Sequence, residues 1–261
     1  MGTYLDAILE HHRDRARSDR RRTEDLLDAA RGLGAVRGFT RAIQQAPTLA
    51  VIAEVKRRSP SKGDLASELD PGGLAAAYEH AGASCVSVLT DRPHFGGSPE
   101  DLAAARSSVS VPVLRKDFTV AENDVLDARM MGADAVLLIV AALDDAQLAA
   151  FDELAAEVGL DTLVEVHDEA ELERALGNTR GTLIGVNQRD LETFEVDQQR
   201  AVRVAAEVPA GAVSVAESGV RGRPDATALS TAGYDAVLVG ELLVTSAEPA
   251  AMLTELLVPR G

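Results

Sequence analysis

Residues 131–166 have the sequence MGADAVLLIVAALDDAQLAAFDELAAEVGLDTLVEV. Two continuous apolar runs, Ala135–Val140 and Thr162–Val166, flank a segment whose apolar residues, such as Leu148 and Phe151, recur at helical spacing. Continuous apolar strands that alternate with helices are typical of a parallel sheet whose faces are covered by helices. This stretch therefore predicts one strand–helix–strand unit of an α/β protein.

The same alternation extends along the chain in both directions from this unit. Eight apolar runs are present: Leu49–Val55, Cys85–Leu89, Val111–Leu114, Ala135–Val140, Thr162–Val166, Leu183–Val186, Ala212–Ala216 and Ala236–Val239. Eight units in about 210 residues favour a closed barrel over an open doubly wound sheet, and no GxGxxG fingerprint follows the first run. We predict a single α/β domain over residues 1–261, in which residues 47–261 form a (β/α)8 TIM barrel and residues 1–46 an N-terminal helical extension.

The extension carries a cluster of basic residues. We predict two helices in it, with six arginines between Arg13 and Arg22. The simplest interpretation of such a cluster is a solvated helix face, and the alternative is a patch for nucleic acid or an acidic partner.

The overall composition narrows the class of protein. The formal net charge of −16 argues against a surface built for nucleic acid or anionic membranes, but it leaves room for a local pocket that binds an anion. The single cysteine, Cys85, allows no disulfide framework and is interpreted as a core residue. Without a signal peptide or an apolar run of about 18 residues, we expect a cytoplasmic protein.

Charged and polar side chains stand at the carboxyl ends of the predicted strands, where barrel enzymes carry their chemistry. They are Glu54, Lys56, Lys116, Glu165, Asn187 and Glu217. Charges at a partly buried rim are unfavourable unless they are paired or functional. Single members could be structural ion pairs, but two lysines and three glutamates on one rim indicate proton transfer by lysine and glutamate.

The last two strands offer a phosphate site. Ser218, Gly219 and Gly240 follow them, and glycine lets backbone N–H groups approach phosphate oxygens closely. Ordinary turn glycines are the alternative interpretation. The five histidines show no metal-ligand spacing, with His94 expected in a loop and His167 near the start of a helix. We therefore expect no cofactor and no metal.

Seven segments at successive strand ends resemble indole-3-glycerol phosphate synthases. They are EVKRRSPSKG (54–63), LTD (89–91) with FGGS (95–98), LRKDF (114–118), VEVH (164–167), IGVNQRDL (184–191), AESG (216–219) and LVGE (238–241). The resemblance covers the chain from its extension to its end, and all segments occur in order. It implies the conversion of 1-(2-carboxyphenylamino)-1-deoxyribulose 5-phosphate into indole-3-glycerol phosphate, carbon dioxide and water, and an extension that covers the substrate.

The resemblance also implies roles for the catalytic residues. Lys116 is the expected general acid that protonates the keto oxygen during ring closure, and Glu165 stabilises the cationic intermediate. Lys56 and Glu54 serve binding and the later dehydration, with the division between them left open. Asn187 and Glu217 are expected to fix substrate hydroxyls and the lysines.

The remaining expected contacts bind the substrate. The residues assigned to its phosphate and polar groups are Ser59, Arg189, Ser218, Gly219, Gly240 and Glu241, and those assigned to its aromatic ring are Phe95, Phe118, Leu138 and Leu191. The sequence departs from the family pattern at His94, where a second aromatic residue is usual, at Leu242, where a small residue is usual, and at residues 122–124. These departures concern affinity and loop motion, because no charged catalytic group is lost.

Two other functions remain as alternatives. A phosphoribosylanthranilate isomerase would need a Cys/Asp acid–base pair, but strand one ends in Glu54 and Lys56. A non-catalytic barrel would not require Lys116, Glu165 and Glu54 together. The expected partner is a small phosphorylated substrate, with no nucleic acid and no membrane, and the resemblance adds other tryptophan-pathway enzymes as candidate associates.

Overall fold

A computed structural model describes residues 4–60, 62–189 and 196–261. Eight parallel strands close into a barrel in which each strand pairs with the next and the last pairs with the first. The strands are β1 Ala50–Val55, β2 Cys85–Leu89, β3 Val113–Lys116, β4 Ala135–Ile139, β5 Asp161–Val166, β6 Leu183–Asn187, β7 Val213–Glu217 and β8 Ala236–Val239. The predicted (β/α)8 barrel is confirmed.

Helices surround the barrel and precede it. They are α1 Tyr4–Ser18, α2 Thr23–Arg31, α3 Phe39–Gln44, α4 Pro71–His80, α5 Arg92–Phe95, α6 Pro99–Ser108, α7 Glu122–Met130, α8 Asp145–Glu157, α9 Glu169–Asn178, α10 Gln198–Ala205, α11 Arg223–Thr231, α12 Glu241–Val244 and α13 Pro249–Leu256. Among the described residues, no helix is both long enough and apolar enough to cross a membrane.

Helix α8 shows why the helical pattern in residues 131–166 was informative. Its N-cap Asp144 accepts a hydrogen bond from the backbone N–H of Gln147, and the Gln147 side chain accepts from the backbone N–H of Asp144. This capping box satisfies two N–H groups that the helix itself leaves unpaired. The helix then buries Leu148, Phe151 and Ala155, each larger side chain contributing roughly 1.5–3 kcal/mol by its removal from water.

The third strand lies two residues later than predicted. The apolar run suggested residues 111–114, whereas β3 spans Val113–Lys116. Two charged residues extend the strand because each has a partner: the buried guanidinium of Arg115 contacts the Asp117 carboxylate at 2.7 Å, and the Lys116 ammonium is paired within the barrel. Because both charged side chains are paired, β3 extends two residues beyond the end of the apolar run.

The extension contains three helices rather than the two predicted. The third, α3, buries Phe39 and Ile43 at the amino end of the barrel. There the Thr40 backbone N–H donates to Asp161, the first residue of β5, at 2.8 Å. The Arg37 backbone N–H donates to Asp134, just before β4, at 2.8 Å. Short helices of this kind are hard to detect from periodicity because they contain too few turns.

The arginine cluster is partly a docking surface instead of a purely solvated face. Arg15 pairs with Asp124 of α7 at 2.7 Å, and Arg21 pairs with Asp127 of the same helix at 2.8 Å. Arg13 donates to the carbonyl oxygen of Ala142 beyond β4 at 3.1 Å. Helix α1 is thereby held over the carboxyl end of the barrel. Helix α2 runs down the side of the barrel along α7, from Thr23 beside Asn123 to Arg31 beside Glu157.

Candidate active site

A cavity of about 760 Å³ opens at the carboxyl end of the barrel. It is lined by nearly all of the predicted site residues: Glu54, Lys56, Ser59, Phe95, Lys116, Phe118, Glu165, Asn187, Arg189, Glu217, Ser218, Gly219, Gly240 and Glu241. Leu138 does not line it, and Leu191 lies outside the described residues. The strand ends thus bring distant segments to one pocket of a size that suits a small ligand.

Lys116 is the centre of a buried charge network. Its ammonium lies 2.9 Å from Glu165 Oε2 and 3.4 Å from Glu217 Oε2. The Asn187 side-chain amide donates to the other Glu165 oxygen at 3.1 Å. Both carboxylates are only 2% exposed, so they hold the lysine in one orientation at the cavity wall.

A second lysine–carboxylate pair stands at the end of β1. Lys56 Nζ lies 2.7 Å from Glu54 Oε1. The pair in this position leaves no room for a side chain at position 240, because a Cβ atom there would lie 2.3 Å from Glu54 Oε1 and 3.0 Å from Lys56 Nζ and would displace both side-chain ends. The predicted importance of Gly240 is therefore explained in part by the room it leaves for Glu54.

The network shifts the ionisation of its members. Burial, together with the negative charges of Glu165 and Glu54, raises the pKa of Glu217 to about 8 although Lys116 opposes the shift. Burial would raise the pKa of Glu165, but Lys116 outweighs it and lowers this pKa to about 2. Burial would lower the pKa of Lys116, but its carboxylate neighbours raise it instead. At neutral pH the network therefore contains an ammonium, a carboxylate and a mostly protonated Glu217.

The protonation of Glu217 predicts a pH-dependent stability. The ordinary pKa of this residue is 4.5, so between about pH 5 and pH 8 the folded protein holds a proton that the unfolded chain has released. Unfolding free energy should fall as pH rises through this window, by up to roughly 1.4 kcal/mol per pH unit. Chemical denaturation at several pH values measures the slope.

The variant Glu217→Gln is the control for that slope, because glutamine has a similar shape and no proton to release. We expect the variant to lose the Glu217 contribution and to keep any that comes from His167, whose pKa Glu171 and Glu165 raise against the effect of burial. An unchanged slope in Glu217→Gln would show that Glu217 is already ionised at neutral pH.

The opposite wall offers hydrogen-bond donors. Ser218 has a backbone φ of 68° and Gly219 of 73°, a left-handed turn that is unusual for serine. The Ser218 hydroxyl and the Arg189 backbone N–H both donate to Asn187 Oδ1, at 2.8 and 3.0 Å. The buried Ser59 hydroxyl has no hydrogen-bond partner among the described residues. Of these three donors, the Ser59 hydroxyl is the one left to bind an anionic group, because Asn187 accepts from the other two.

Glu241 fits that wall less well than the other residues predicted for it. Its carboxylate lies 3.8 Å from Lys62 Nζ and 3.9 Å from the Arg189 guanidinium. A carboxylate repels a phosphate, so any favourable contact of Glu241 with a phosphate would have to come from its backbone N–H.

The apolar side of the cavity is formed by two aromatic rings and by strand β4. The ring centres of Phe95 and Phe118 lie 6.4 Å apart. On β4, Leu137 and Ile139 line the cavity, whereas Leu138 between them is buried on the opposite face. Successive residues of a strand point to opposite faces, so the neighbours of Leu138 occupy the place that was predicted for it.

Sequence reasoning missed a cluster beside the cavity. His94 lies in the short helix α5 and not in a loop, and its Nδ1 is 3.1 Å from Asp91 Oδ2. His12 of α1 approaches the other oxygen of the same carboxylate, Oδ1, at 3.1 Å. His12 and Asp91 are 79 residues apart in sequence, so no local motif connects them.

Fold and site together define a class: (β/α)8-barrel enzymes with lysine–carboxylate acid–base groups and an anion-binding wall. The comparisons with known proteins are more specific. A family model described as indole-3-glycerol phosphate synthase matches residues 5–256. The chain therefore belongs to the indole-3-glycerol phosphate synthase family, whose members are carboxy-lyases that act on a small phosphorylated substrate.

Individual relatives agree with the family. An indole-3-glycerol phosphate synthase of Parafrankia sp. is 53% identical over 215 residues, which cover 82% of this chain and 80% of the relative. Another, from Mycobacteroides abscessus, is 46% identical over 260 residues, which cover 98% and 94%. A solved structure, thiamine phosphate pyrophosphorylase from Pyrococcus furiosus, matches with a TM-score of 0.61 at 15% identity over 81% of this chain and 95% of that one, which shows the shared fold alone.

Proposed function

We propose that the cavity converts 1-(2-carboxyphenylamino)-1-deoxyribulose 5-phosphate into indole-3-glycerol phosphate, carbon dioxide and water by acid–base catalysis with lysine and glutamate. The observation that carries the proposal is the position of Lys116, whose ammonium stands on the cavity wall between Glu165 and Glu217 at 2.9 and 3.4 Å. Family membership supports the reaction, and this geometry supports the assignment of the first proton transfer.

In the first step, the aromatic carbon that bears the carboxylate attacks the keto carbon of the substrate. The electron pair of the carbonyl moves to its oxygen, which takes a proton from Lys116 and becomes a hydroxyl. The anilino nitrogen is left as a cationic iminium. Glu165, which is ionised and buried, stabilises this positive charge in a low-dielectric surrounding.

Loss of carbon dioxide follows, because the electron pair of the broken carbon–carbon bond neutralises the iminium and restores the aromatic ring. In the dehydration, the new hydroxyl leaves as water with a proton from an acid, and a proton leaves the neighbouring methylene carbon. We assign the acid to Lys56 and the base to Glu54, which lie 2.7 Å apart. One residue can then return its proton to the other after turnover.

The substrate is bound through its two ends. We place the phosphate at Ser59, Ser218 and Gly219, where the unpartnered Ser59 hydroxyl and the left-handed turn offer donors. We place the aromatic ring against the wall that Phe95 and Phe118 form, with Leu191 as a further contact predicted from the sequence. This orientation places the keto oxygen toward Lys116 and the ribulose hydroxyls toward Asn187 and the protonated Glu217.

The test is a fluorescence assay for indole-3-glycerol phosphate with purified protein, synthetic substrate and no added metal. We expect product formation, and we expect it to persist when a chelator is present, because every proton transfer is assigned to a side chain. Folded protein that forms no product would overturn the proposal. An assay for isomerisation of phosphoribosylanthranilate on the same sample separates the nearest alternative barrel enzyme from a barrel without activity.

A further inference from the structure

Two histidines from distant parts of the chain meet at one buried carboxylate. His12 Nε2 lies 3.1 Å from Asp91 Oδ1, and His94 Nδ1 lies 3.1 Å from Asp91 Oδ2. His12 belongs to α1 of the extension, whereas Asp91 and His94 belong to the segment that follows β2 of the barrel. We name this group the His–Asp–His cluster. One potential ligand atom from each residue lies within 4.8 Å of the other two.

The cluster has the donors of a transition-metal site. Two imidazole nitrogens and one carboxylate oxygen suit Zn²⁺ and neighbouring first-row divalent ions, whereas Mg²⁺ and Ca²⁺ prefer oxygen alone. Ligand atoms around a tetrahedral Zn²⁺ are separated by roughly 3.4 Å, given bond lengths near 2.1 Å. The separations in the cluster are close enough to reach this geometry by side-chain adjustment.

The surroundings favour a cation. A second carboxylate, Asp117, lies 3.8 Å from His12 Nε2, and its own cationic partner is Arg115 at 2.7 Å. With neutral imidazoles, the two carboxylates exceed the one guanidinium by a single negative charge. A bound divalent ion would offset this excess, and each neutral imidazole would keep its one proton on the nitrogen that faces away from the ion, Nδ1 of His12 and Nε2 of His94.

The His12 ring packs against Phe118, with ring centres 5.3 Å apart, but packing does not account for its polar atoms. Its side chain is fully buried, and its Nδ1 atom has no hydrogen-bond partner among the described residues. An unsatisfied buried polar atom costs about 1–3 kcal/mol. An ion held by Nε2 would leave Nδ1 as an N–H donor, whose partner would be a water. The side chain of His94 is 19% exposed, so the cluster can be reached from solvent and a water can complete the coordination.

We propose that His12, Asp91 and His94 form a binding site for a first-row divalent metal ion, best matched by Zn²⁺, that ties the N-terminal extension to the barrel. The site borders the cavity, because Asp91 lines the cavity wall and the His12 ring centre lies 5.3 Å from that of Phe118, another lining residue. Its role is to fix α1 against the aromatic wall. The proposal does not depend on which reaction the cavity catalyses.

The experiment uses the full chain without an affinity tag, stripped with a chelator and then titrated with Co²⁺ and Zn²⁺. We expect one ion per chain, a visible absorption band for Co²⁺ that Zn²⁺ abolishes, and a rise in melting temperature with Zn²⁺ but not with Mg²⁺. The variant His94→Phe keeps an aromatic ring beside Tyr4 and His11, whose ring centres lie 6.1 and 5.8 Å from that of His94. It should weaken Zn²⁺ binding by more than about 100-fold, since even changes outside the ligand shell cost 10–100-fold.

The matched control is His80→Phe, which removes an exposed imidazole from α4 and should bind Zn²⁺ as the unmodified chain does. Asp91→Asn provides a second test that preserves side-chain shape, and it should also lose the ion. Equal Zn²⁺ affinity in the unmodified chain and in folded His94→Phe would overturn the proposal, as would an absence of binding by the unmodified chain. Either failure would leave the indole assay unaffected, so the two proposals are tested separately.

Discussion

Replacing Lys116 by methionine is expected to lower turnover by about 10²–10⁴-fold, the usual contribution of a positioned general acid. Methionine fills similar space but has no proton to give, so ring closure itself should slow. Steady-state kinetics should show the loss in kcat, with KM changed much less because substrate contacts elsewhere remain. Turnover close to that of the unmodified protein would remove Lys116 from the role of acid.

Lys56→Met is the informative contrast, since Lys56 is assigned to the later dehydration. In this variant we expect carbon dioxide release to run ahead of indole fluorescence, whereas in Lys116→Met both should fall together. Each variant also leaves buried carboxylates without their lysine, and a denaturation curve must therefore accompany the kinetics. Equal loss of both signals in Lys56→Met would place Lys56 in the first step as well.

The second large effect is expected for Glu165→Gln. The amide retains the shape of the side chain but cannot supply the negative charge that faces the cationic intermediate. Loss of one such electrostatic contact costs about 10²–10³-fold in kcat, and we expect this range from steady-state kinetics. The change also removes the closest carboxylate of Lys116, at 2.9 Å, so the pKa of Lys116 should move downward.

The control is Glu169→Gln, the same chemical change at a half-exposed residue whose partner is Arg203 at 3.8 Å on the surface. Exposed pairs of this kind contribute about 0–1 kcal/mol, and turnover should not change. If Glu165→Gln resembled this control, the stabilisation of the intermediate would have to come from another group.

Strand ends were the most predictable part of the site. Continuous apolar runs located the eight strands, and barrel geometry then placed Lys116, Glu165 and Glu217 on one rim before any distance was known. The sequence could not show which residues of such a run point into the barrel. A run that is apolar at every position has no alternation of polar and apolar residues to mark its inward side. Leu138 was assigned to the ring from the family resemblance, and the run itself could not show that Leu137 and Ile139 line the cavity instead.

Contacts between segments that are far apart in the sequence could not be predicted either. The partners of Arg15 and Arg21 on α7 are the buried Asp124 and the partly buried Asp127. No local pattern links them to the extension, and the cluster therefore suggested a solvated face or a patch for another partner. Nothing in the sequence distinguishes His12 and His94 from other histidines. Only the folded barrel brings both to Asp91. The pKa of Glu217 likewise depends on burial and on Glu54 and Glu165, which belong to other strands.

The contacts of the extension have a consequence for the order in which the chain acquires its structure. His12, Arg37, Arg15 and Thr40 bond to residues 79, 97, 109 and 121 positions further along. The extension leaves the ribosome before the barrel, but the surfaces that bury it do not exist until β2 to β5 have been synthesised. At the 5–20 residues per second of translation, it waits about 5–25 seconds for them. The segment that precedes the barrel is therefore among the last to be secured.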